Sequence, residues 1–126
     1  MTNYTPENLY IKYIDNVKEY GVFTNIRIQK GELVERCICA ILGTYLLYNP
    51  IYDYIFNNGE IKLLPFGFGS IYNHNYDANI EWRLTDNSRF IEFYALKDIE
   101  IDVELTHNYG EHYWEWLEDV KKQRLV

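Results

Sequence analysis

Glu104-Leu105-Thr106-His107-Asn108-Tyr109-Gly110 is the most informative segment of this chain, together with Asn73-His74-Asn75-Tyr76-Asp77-Ala78-Asn79 earlier in the sequence. The earlier stretch lies in a region dominated by loop-forming residues, because Pro65, Gly67 and Gly69 precede it and four of its seven residues are Asn or Asp. Both stretches place histidine and tyrosine side chains next to turns. They are therefore the first places to look for a functional site.

The residues around these stretches predict short β-strands. An extended apolar run covers 9–14. Apolar residues alternate with charged ones from Ile80 to Leu84, and they share one face again from Ile91 to Ala95, on the far side of a turn-forming segment at 85–88. This pattern predicts a β-hairpin over 80–95. The chain is predicted to be mostly β, with few short helices.

A longer strand is predicted at 33–42, where apolar residues recur at every second position. Its predicted buried face is the even-numbered one, which Arg36 interrupts. The apolar members of that face are Val34, Ile38, Ala40 and Leu42.

The two cysteines of the chain, Cys37 and Cys39, lie two positions apart in this strand, so both thiols should point to the same face. A structural zinc site needs about four ligands, and a reduced structural pair is predicted instead. A metal site built from His74, His107 and His112 is also rejected. The last two are not separated by the three or four residues (about one helical turn) that place ligands on one helical face. No metal is expected.

The spacing of apolar residues changes at the C-terminus. Tyr113, Trp116, Leu117 and Val120 follow the i, i+3, i+4, i+7 spacing of an amphipathic helix. An acidic residue stands at the start of this segment and two lysines at its end, which matches the helix dipole. A C-terminal helix is therefore predicted at about 111–122.

The composition bounds the domain count and the class of partner. A chain of 126 residues with 48% hydrophobic and 25% charged residues fits a single domain spanning 1–126. Its net charge of −7 argues against direct nucleic-acid binding and suits a basic protein or peptide, although solubility alone would also explain the charge. No apolar run is as long as a membrane span, and the N-terminus does not resemble a signal peptide. No membrane association and an intracellular location are expected.

Two further blocks extend the pattern of the opening stretches. Tyr20-Gly21-Val22-Phe23 is followed by Lys30-Gly31-Glu32, and residues 93–99 read Phe-Tyr-Ala-Leu-Lys-Asp-Ile. In this order the blocks resemble the G-x-G-V-F, K-G-E, N-H-S-x-x-P-N, f-A-x-r-d-I and E-E-L-T-x-D-Y-G motifs of the SET-domain protein-lysine methyltransferases. The resemblance covers about residues 20–114. It is strongest to the minimal viral SET proteins, which share the Gly-Phe-Gly at 67–69 and the Tyr-Trp at 113–114.

Several positions depart from the family's motifs. Glu19 stands where the first motif usually has a glycine, which would let the backbone approach a ligand closely. The other departures fall at positions that shape loops more than chemistry. They are Asn75 for Ser, Ala78 for Pro, Asp102 for Gly, Val103 for Glu and Asn108 for Asp.

The resemblance implies a fold and an activity. The fold would be a SET domain of small curled sheets, with a pseudoknot-like threading of the C-terminal segment and a C-terminal helix. The activity would be transfer of a methyl group from S-adenosylmethionine to the side-chain amine of a lysine in a protein substrate, with a histone tail as the family's usual target. The location would be nuclear, at chromatin, for a histone substrate and cytoplasmic otherwise. The shortest members need a partner copy, so a homodimer is expected.

The resemblance also implies roles for individual residues. Tyr109 would be the catalytic residue, at the junction of the cofactor and lysine sites. The cofactor-binding residues would be Tyr20, Gly21, Val22, Asn73, His74 and Trp114. The substrate channel would be lined by Trp82, His107 and Tyr109.

Each of these roles has a structural alternative. Tyr109 would otherwise be a core tyrosine, Asn73 a turn residue, His74 a buried structural histidine and Trp114 part of the apolar stripe of the helix. Glu104 is expected to be a structural hydrogen-bonding carboxylate rather than an acid or base. For the whole chain, the alternative is a degenerate SET fold that acts as a non-catalytic protein-binding module. A purely structural β protein would leave the order of the motifs unexplained.

Overall fold

The computed structural model describes residues 7–42, 54–58, 61–85 and 89–110. The strands found in these ranges are β1 Leu9–Ile14, β2 Glu19–Thr24, β3 Leu33–Leu42, β4 Phe56–Asn58, β5 Ile61–Pro65, β6 Asn73–His74, β7 Ile80–Leu84, β8 Phe90–Ala95 and β9 Glu104–His107. The fold is mostly β, as predicted. Within these ranges, no helix is long and apolar enough to cross a membrane. The helix predicted at 111–122, with Trp114, lies outside the described residues.

The first sheet has the strand order β1-β2-β9-β6. β1 and β2 form an antiparallel hairpin, and β2 pairs antiparallel with β9 through Val22 and Leu105. β6 pairs with β9 in parallel, with Asn73 opposite Thr106 and His74 opposite His107. The last described strand therefore lies between two strands that precede it in the chain. This insertion agrees with the C-terminal threading that the resemblance implied.

The second sheet has the strand order β4-β5-β3-β8-β7. β7 and β8 pair antiparallel from Ile80 opposite Ala95 to Leu84 opposite Ile91, which confirms the hairpin predicted over 80–95. Ile91, Phe93 and Ala95 are buried, as their alternation indicated. Phe93 and Ile91 belong to a core cluster that also contains Val22 and Leu105 of the first sheet. The two sheets therefore share one hydrophobic core.

The predicted buried face of β3 is confirmed at Val34 and is wrong for the rest of the strand. The pairing of β3 with β8 shifts between Leu33 and Glu35, so Val34 and Glu35 are both buried. Beyond this bulge Cys37 and Cys39 face the core, Ile38, Ala40 and Leu42 are partly exposed instead, and Ile41 is exposed. An extra residue in one strand exchanges its two faces, because side chains alternate with a period of two.

The prediction of a reduced, structural cysteine pair is confirmed. Cys37 and Cys39 are free thiols, and both are buried on the inward face of β3. Burial raises the pKa of the Cys37 thiol far above its ordinary value, and it raises the pKa of the Cys39 thiol to about 11. Since the thiolate is the reactive form, both cysteines are inert packing residues.

Candidate active site

Hydrogen bonds join the 73–79 loop to the strand that leads to Tyr109. The side chain of Asn79 accepts a bond from the Thr106 N–H at 2.9 Å and donates one to the Glu104 carbonyl at 2.8 Å. The Asn79 N–H donates to the Thr106 carbonyl, and the Asn75 N–H donates to the His107 carbonyl. The segments 73–79 and 104–110 are therefore adjacent in space.

Tyr109 is attached to the segment around β6 at two points. Its N–H donates a hydrogen bond to Nδ1 of His74 at 3.0 Å, and its hydroxyl donates one to the Tyr72 carbonyl at 2.7 Å. The phenol is consequently held at both its backbone and its hydroxyl end. The hydroxyl acts as a donor in this bond, and a phenol oxygen can also accept a hydrogen bond.

The contacts of His74 are those of a structural histidine. Because Nδ1 accepts the Tyr109 N–H, the neutral ring carries its proton on Nε2. Burial lowers the pKa of His74, which favours this neutral form. The ring also packs edge-on against Tyr76 and lies 5.1 Å from the Tyr109 ring, centroid to centroid. His74 thus orients Tyr109, which is compatible with a further contact to a ligand.

Three of the predicted site residues meet at one pocket. It has a volume of about 520 Å³ and is lined by Ile11, Glu19, Tyr20, Tyr54, Ser70, Ile71, Asn73 and Tyr109. No lysine or arginine is found among these described lining residues. Tyr54 and Ser70 were missed by the sequence analysis, although Ser70 directly follows the Gly-Phe-Gly at 67–69. The Ser70 hydroxyl donates to the Tyr54 carbonyl at 2.6 Å, which ties these two sides of the pocket together.

The Asn73 side chain has a defined orientation in this pocket. Its amide nitrogen donates to the Tyr20 carbonyl at 3.1 Å and to Oε2 of Glu104 at 2.8 Å. Both partners accept hydrogen bonds and neither donates, so the atom between them must be the nitrogen. Both amide N–H bonds are therefore used within the chain. The amide oxygen is the atom left to meet a ligand, and it would accept a hydrogen bond from it.

Gly21 and Val22 contribute to the site in a different way from Asn73. The Val22 side chain is completely buried in the core, so any contact with a ligand must come from its backbone. A Cβ added to Gly21 would lie 2.5 Å from Oε2 of Glu104 and 2.8 Å from Cδ1 of Ile14. The missing side chain of Gly21 thus leaves room for the carboxylate that orients Asn73.

An aromatic cluster lies behind Tyr109. The Phe56 ring stacks on His107 with centroids 5.5 Å apart and meets Trp82 edge-on at 5.2 Å. His107 in turn lies 4.7 Å from the Tyr109 ring. The structure thus brings Trp82, His107 and Tyr109 into one connected cluster. The sequence analysis missed Phe56, which links Trp82 to His107, because nothing in its local pattern distinguishes it from an ordinary core residue.

His107 is a neutral member of this cluster. Its side chain is only 5% exposed. Burial, and secondarily the neighbouring His74, lower the pKa of His107 to about 4. The imidazole is therefore uncharged at neutral pH and adds no positive charge next to Tyr109.

No group of three or more His, Cys, Asp or Glu side chains in the described ranges is arranged to hold a metal ion. The pocket instead combines an oriented amide oxygen, a phenol oxygen and the carboxylate of Glu19. These acceptors and the lack of lining cations suit an organic ligand that carries positive charge.

The chain is also similar to known proteins. A family model of the SET domain matches residues 19–110. The histone-lysine N-methyltransferase of Schizosaccharomyces pombe that is specific for H3 lysine-37 is 33% identical over 72 residues, which is 57% of this chain and 48% of that protein. The chain thus spans about half the length of that relative.

A solved structure is also similar. The crystal structure of a Plasmodium falciparum protein assigned as a histone methyltransferase superposes with a TM-score of 0.72 and 27% sequence identity, over 86% of this chain and 98% of that one. The match confirms the predicted mostly β fold of small curled sheets. Since the family model covers most of the chain and contains all the motif blocks up to Gly110, the chain belongs to the SET domain family.

Proposed function

We propose that this protein is a protein-lysine N-methyltransferase that uses S-adenosylmethionine. The observation that carries the proposal is the pocket of about 520 Å³ at which Tyr20, Asn73 and Tyr109 meet. Its volume lies in the range of small-molecule sites, roughly 300–1,000 Å³. The cofactor, when bound, supplies a methyl group on a positively charged sulfonium. The acceptor-rich pocket is suited to such a cation.

The chain's own residues would bind the cofactor through polar contacts of fixed direction. The amide oxygen of Asn73 would accept a hydrogen bond from the amino group of the methionine end, because its N–H bonds are already used by Tyr20 and Glu104. The backbone of residues 20–22 and the side chains of His74 and Trp114 are proposed to complete the cofactor site. Such a site needs fixed donors and acceptors rather than acid–base chemistry.

The aromatic cluster would prepare the lysine for reaction. The amine must be uncharged to attack a methyl group, although the pKa of free lysine is about 10.4. The lysine amine would be poorly hydrated between the rings of Tyr109, Trp82 and the neutral His107, and this disfavours its ammonium form. The hydroxyl oxygen of Tyr109 would accept a weak contact from the methyl group or the amine, since its proton is donated to the Tyr72 carbonyl. Positioning would then supply much of the rate enhancement.

Calorimetry with S-adenosylmethionine and labelling of basic proteins with tritiated methyl groups test the proposal. The wild-type protein should bind the cofactor and transfer label. Tyr109→Phe should abolish transfer while the protein still folds, because one hydrogen bond is worth about 1 kcal/mol. Tyr10→Phe is the matched control. It also removes one phenol hydroxyl, which donates a hydrogen bond to Asp102 at 2.9 Å, but this bond lies outside the pocket. Wild-type protein that neither binds cofactor nor transfers label would refute the proposal.

The proposed substrate is a basic protein segment, with a histone tail first among the candidates. The similar Schizosaccharomyces pombe protein is described as specific for H3 lysine-37, and the net charge of −7 suits a basic partner. A nuclear, chromatin-associated role would follow from that substrate. A peptide array with mass spectrometry of the product would identify the lysine and the number of methyl groups. Homodimerisation stays a prediction, which light scattering after gel filtration would test.

One observation favours the second candidate function, a non-catalytic protein-binding module. Glu19 lines the pocket, at the position where the family's motif has a glycine. Under this alternative, basic peptides would bind while S-adenosylmethionine would not. Cofactor affinity in the ordinary range of the family's enzymes, together with the loss of transfer in Tyr109→Phe, would reject it.

A further inference from the structure

A buried carboxylate outside the pocket has no part in the chemistry described so far. Glu35 lies on β3 and is only 2% exposed. Burial raises its pKa, and its hydrogen-bond partners in the described ranges are neutral donors. Burying a carboxylate without a counter-ion is costly unless hydrogen bonds compensate for the lost water. The bonds that Glu35 makes should therefore matter to the fold or to the site.

The two oxygens of Glu35 hold both ends of one short segment. Oε1 accepts the Tyr72 hydroxyl at 2.6 Å, and Oε2 accepts the Phe68 N–H at 2.9 Å. The β3 bulge is what turns Glu35 inward to reach them. Within the segment, a Cβ on Gly69 would lie 2.7 Å from Cβ of Pro65. The segment 68–72 is thus fixed at its two ends and closely packed in the middle.

The same segment holds the phenol of Tyr109. The Tyr72 carbonyl accepts the Tyr109 hydroxyl at 2.7 Å, while the Tyr72 ring, 1% exposed, packs 4.7 Å from the Phe93 ring. Fixing the Tyr72 side chain therefore fixes the atom that orients Tyr109. We infer that Glu35 is a positioning residue for the catalytic tyrosine and acts through Tyr72. This inference rests on the proposed function.

A glutamine at position 35 tests the inference because its side chain has one acceptor oxygen, whereas the glutamate uses two. The Phe68 N–H is a donor and needs the single amide oxygen of a glutamine, which leaves an NH₂ group facing the Tyr72 hydroxyl. Glu35→Gln should therefore keep the volume but break the bond that the Tyr72 hydroxyl donates, leaving at best a weaker bond in the opposite direction, from the amide N–H to the phenol oxygen. Tyr72→Phe releases the same bond from the other side and is the second variant, in case the first folds poorly.

The expected result is a fall in kcat without a matching loss of cofactor binding. Each variant should reduce kcat by between about 10- and 100-fold, the cost of misplacing a reacting group by a fraction of an ångström to about 1 Å. The Kd for S-adenosylmethionine should change less than kcat does: Ser70 and Ile71 of the released segment line the pocket, but Glu104 and the Tyr20 carbonyl hold the Asn73 amide independently. The double variant Glu35→Gln/Tyr72→Phe should be no worse than the poorer single one, since both changes break one bond.

The matched control is a second glutamate–tyrosine pair, in which Tyr94 donates to Glu92 at 3.2 Å on β8. Glu92→Gln should leave kcat unchanged. NMR supplies a readout that needs no activity. In Glu35→Gln the Tyr109 ring resonances should shift and the Phe68 amide should exchange faster, and in Glu92→Gln neither should change.

The outcomes separate this inference from the proposed function. Wild-type kcat in both Glu35→Gln and Tyr72→Phe, or unshifted Tyr109 resonances, would overturn the positioning role. A kcat that falls only in proportion to the unfolded fraction would also overturn it. Shifted resonances in a protein whose wild type transfers no methyl group would support the positioning of Tyr109 and refute the proposed enzyme instead.

Discussion

Acidification is expected to destabilise this fold through one buried side chain, the imidazole of His107. The ring is enclosed by Phe56, Phe93 and Tyr109, and His74 lies close enough to disfavour a second positive charge. Burial is the larger cause and His74 the smaller one, and together they lower the pKa of His107 from 6.5 to about 4. The unfolded chain, in contrast, takes up this proton near its ordinary pKa of about 6.5.

The sign and size of the effect follow from this difference. Between the two pKa values the unfolded state binds the proton and the folded state does not, so stability rises with pH in this window. The contribution is complete above about pH 6.5 and is lost as the pH falls towards 4. A difference of about 2.5 pKa units at about 1.36 kcal/mol per unit corresponds to a loss of about 3 kcal/mol. This loss is a large part of the free energy of unfolding of a typical domain, which is roughly 5–15 kcal/mol.

Urea unfolding followed by tryptophan fluorescence, repeated at pH values from about 7 to about 4, measures this loss. His107→Leu should remove the His107 part of the slope, while carboxylates and His74 still titrate in both proteins. Phe56→Leu is the matched control, because it disturbs the same stack without removing a titrating group. It should lower stability by a similar amount at every pH. The reasoning fails if the wild type and His107→Leu lose stability in parallel over this window.

Three other substitutions have expected outcomes. Gly69→Ala should lower the free energy of unfolding by about 1–3 kcal/mol, because the rigid ring of Pro65 occupies the space of the new Cβ; urea unfolding at neutral pH measures this. Gly21→Ala should cost less, since the Glu104 side chain can shift, but that shift would release the Asn73 amide and weaken S-adenosylmethionine binding in calorimetry. Unchanged affinity would contradict the orienting role of Glu104. Arg27→Ala, which breaks exposed ion pairs with acidic residues on the β8–β9 connection, should leave the melting temperature in thermal unfolding nearly unchanged, because exposed ion pairs contribute little to stability.

Local patterns in the sequence were sufficient for the fold class and for several elements. Alternation predicted the hairpin over 80–95, because the period of side chains along a strand is a local property. The motif blocks predicted the family, since their residue types and order are preserved even where single positions differ. One such difference is Asp102, which replaces a glycine of the motif. Its backbone has a φ of 65°, in the left-handed region that Asp tolerates better than most residues other than glycine.

Other features depended on contacts between residues that are far apart in the chain. The buried face of β3 was mispredicted because a one-residue bulge in the pairing with β8 exchanges the two faces of the strand, and this pairing is not visible in the strand's own sequence. The same bulge buries Glu35, a residue type that is expected at the surface. Phe56 and Tyr54 were missed for a related reason, since only the folded chain places them next to the site.

Residue types and their order along the chain were enough to predict a mostly β SET domain with candidate site residues at Asn73, His74 and Tyr109. The tertiary structure decided how these residues are held: Tyr109 by the Tyr72 carbonyl and His74, and the Asn73 amide by Glu104 and the Tyr20 carbonyl. Periodicity and motif chemistry depend on neighbouring residues, so they can be read along the chain. The direction of a hydrogen bond between two distant segments depends on strand order and register, which exist only once the chain has folded.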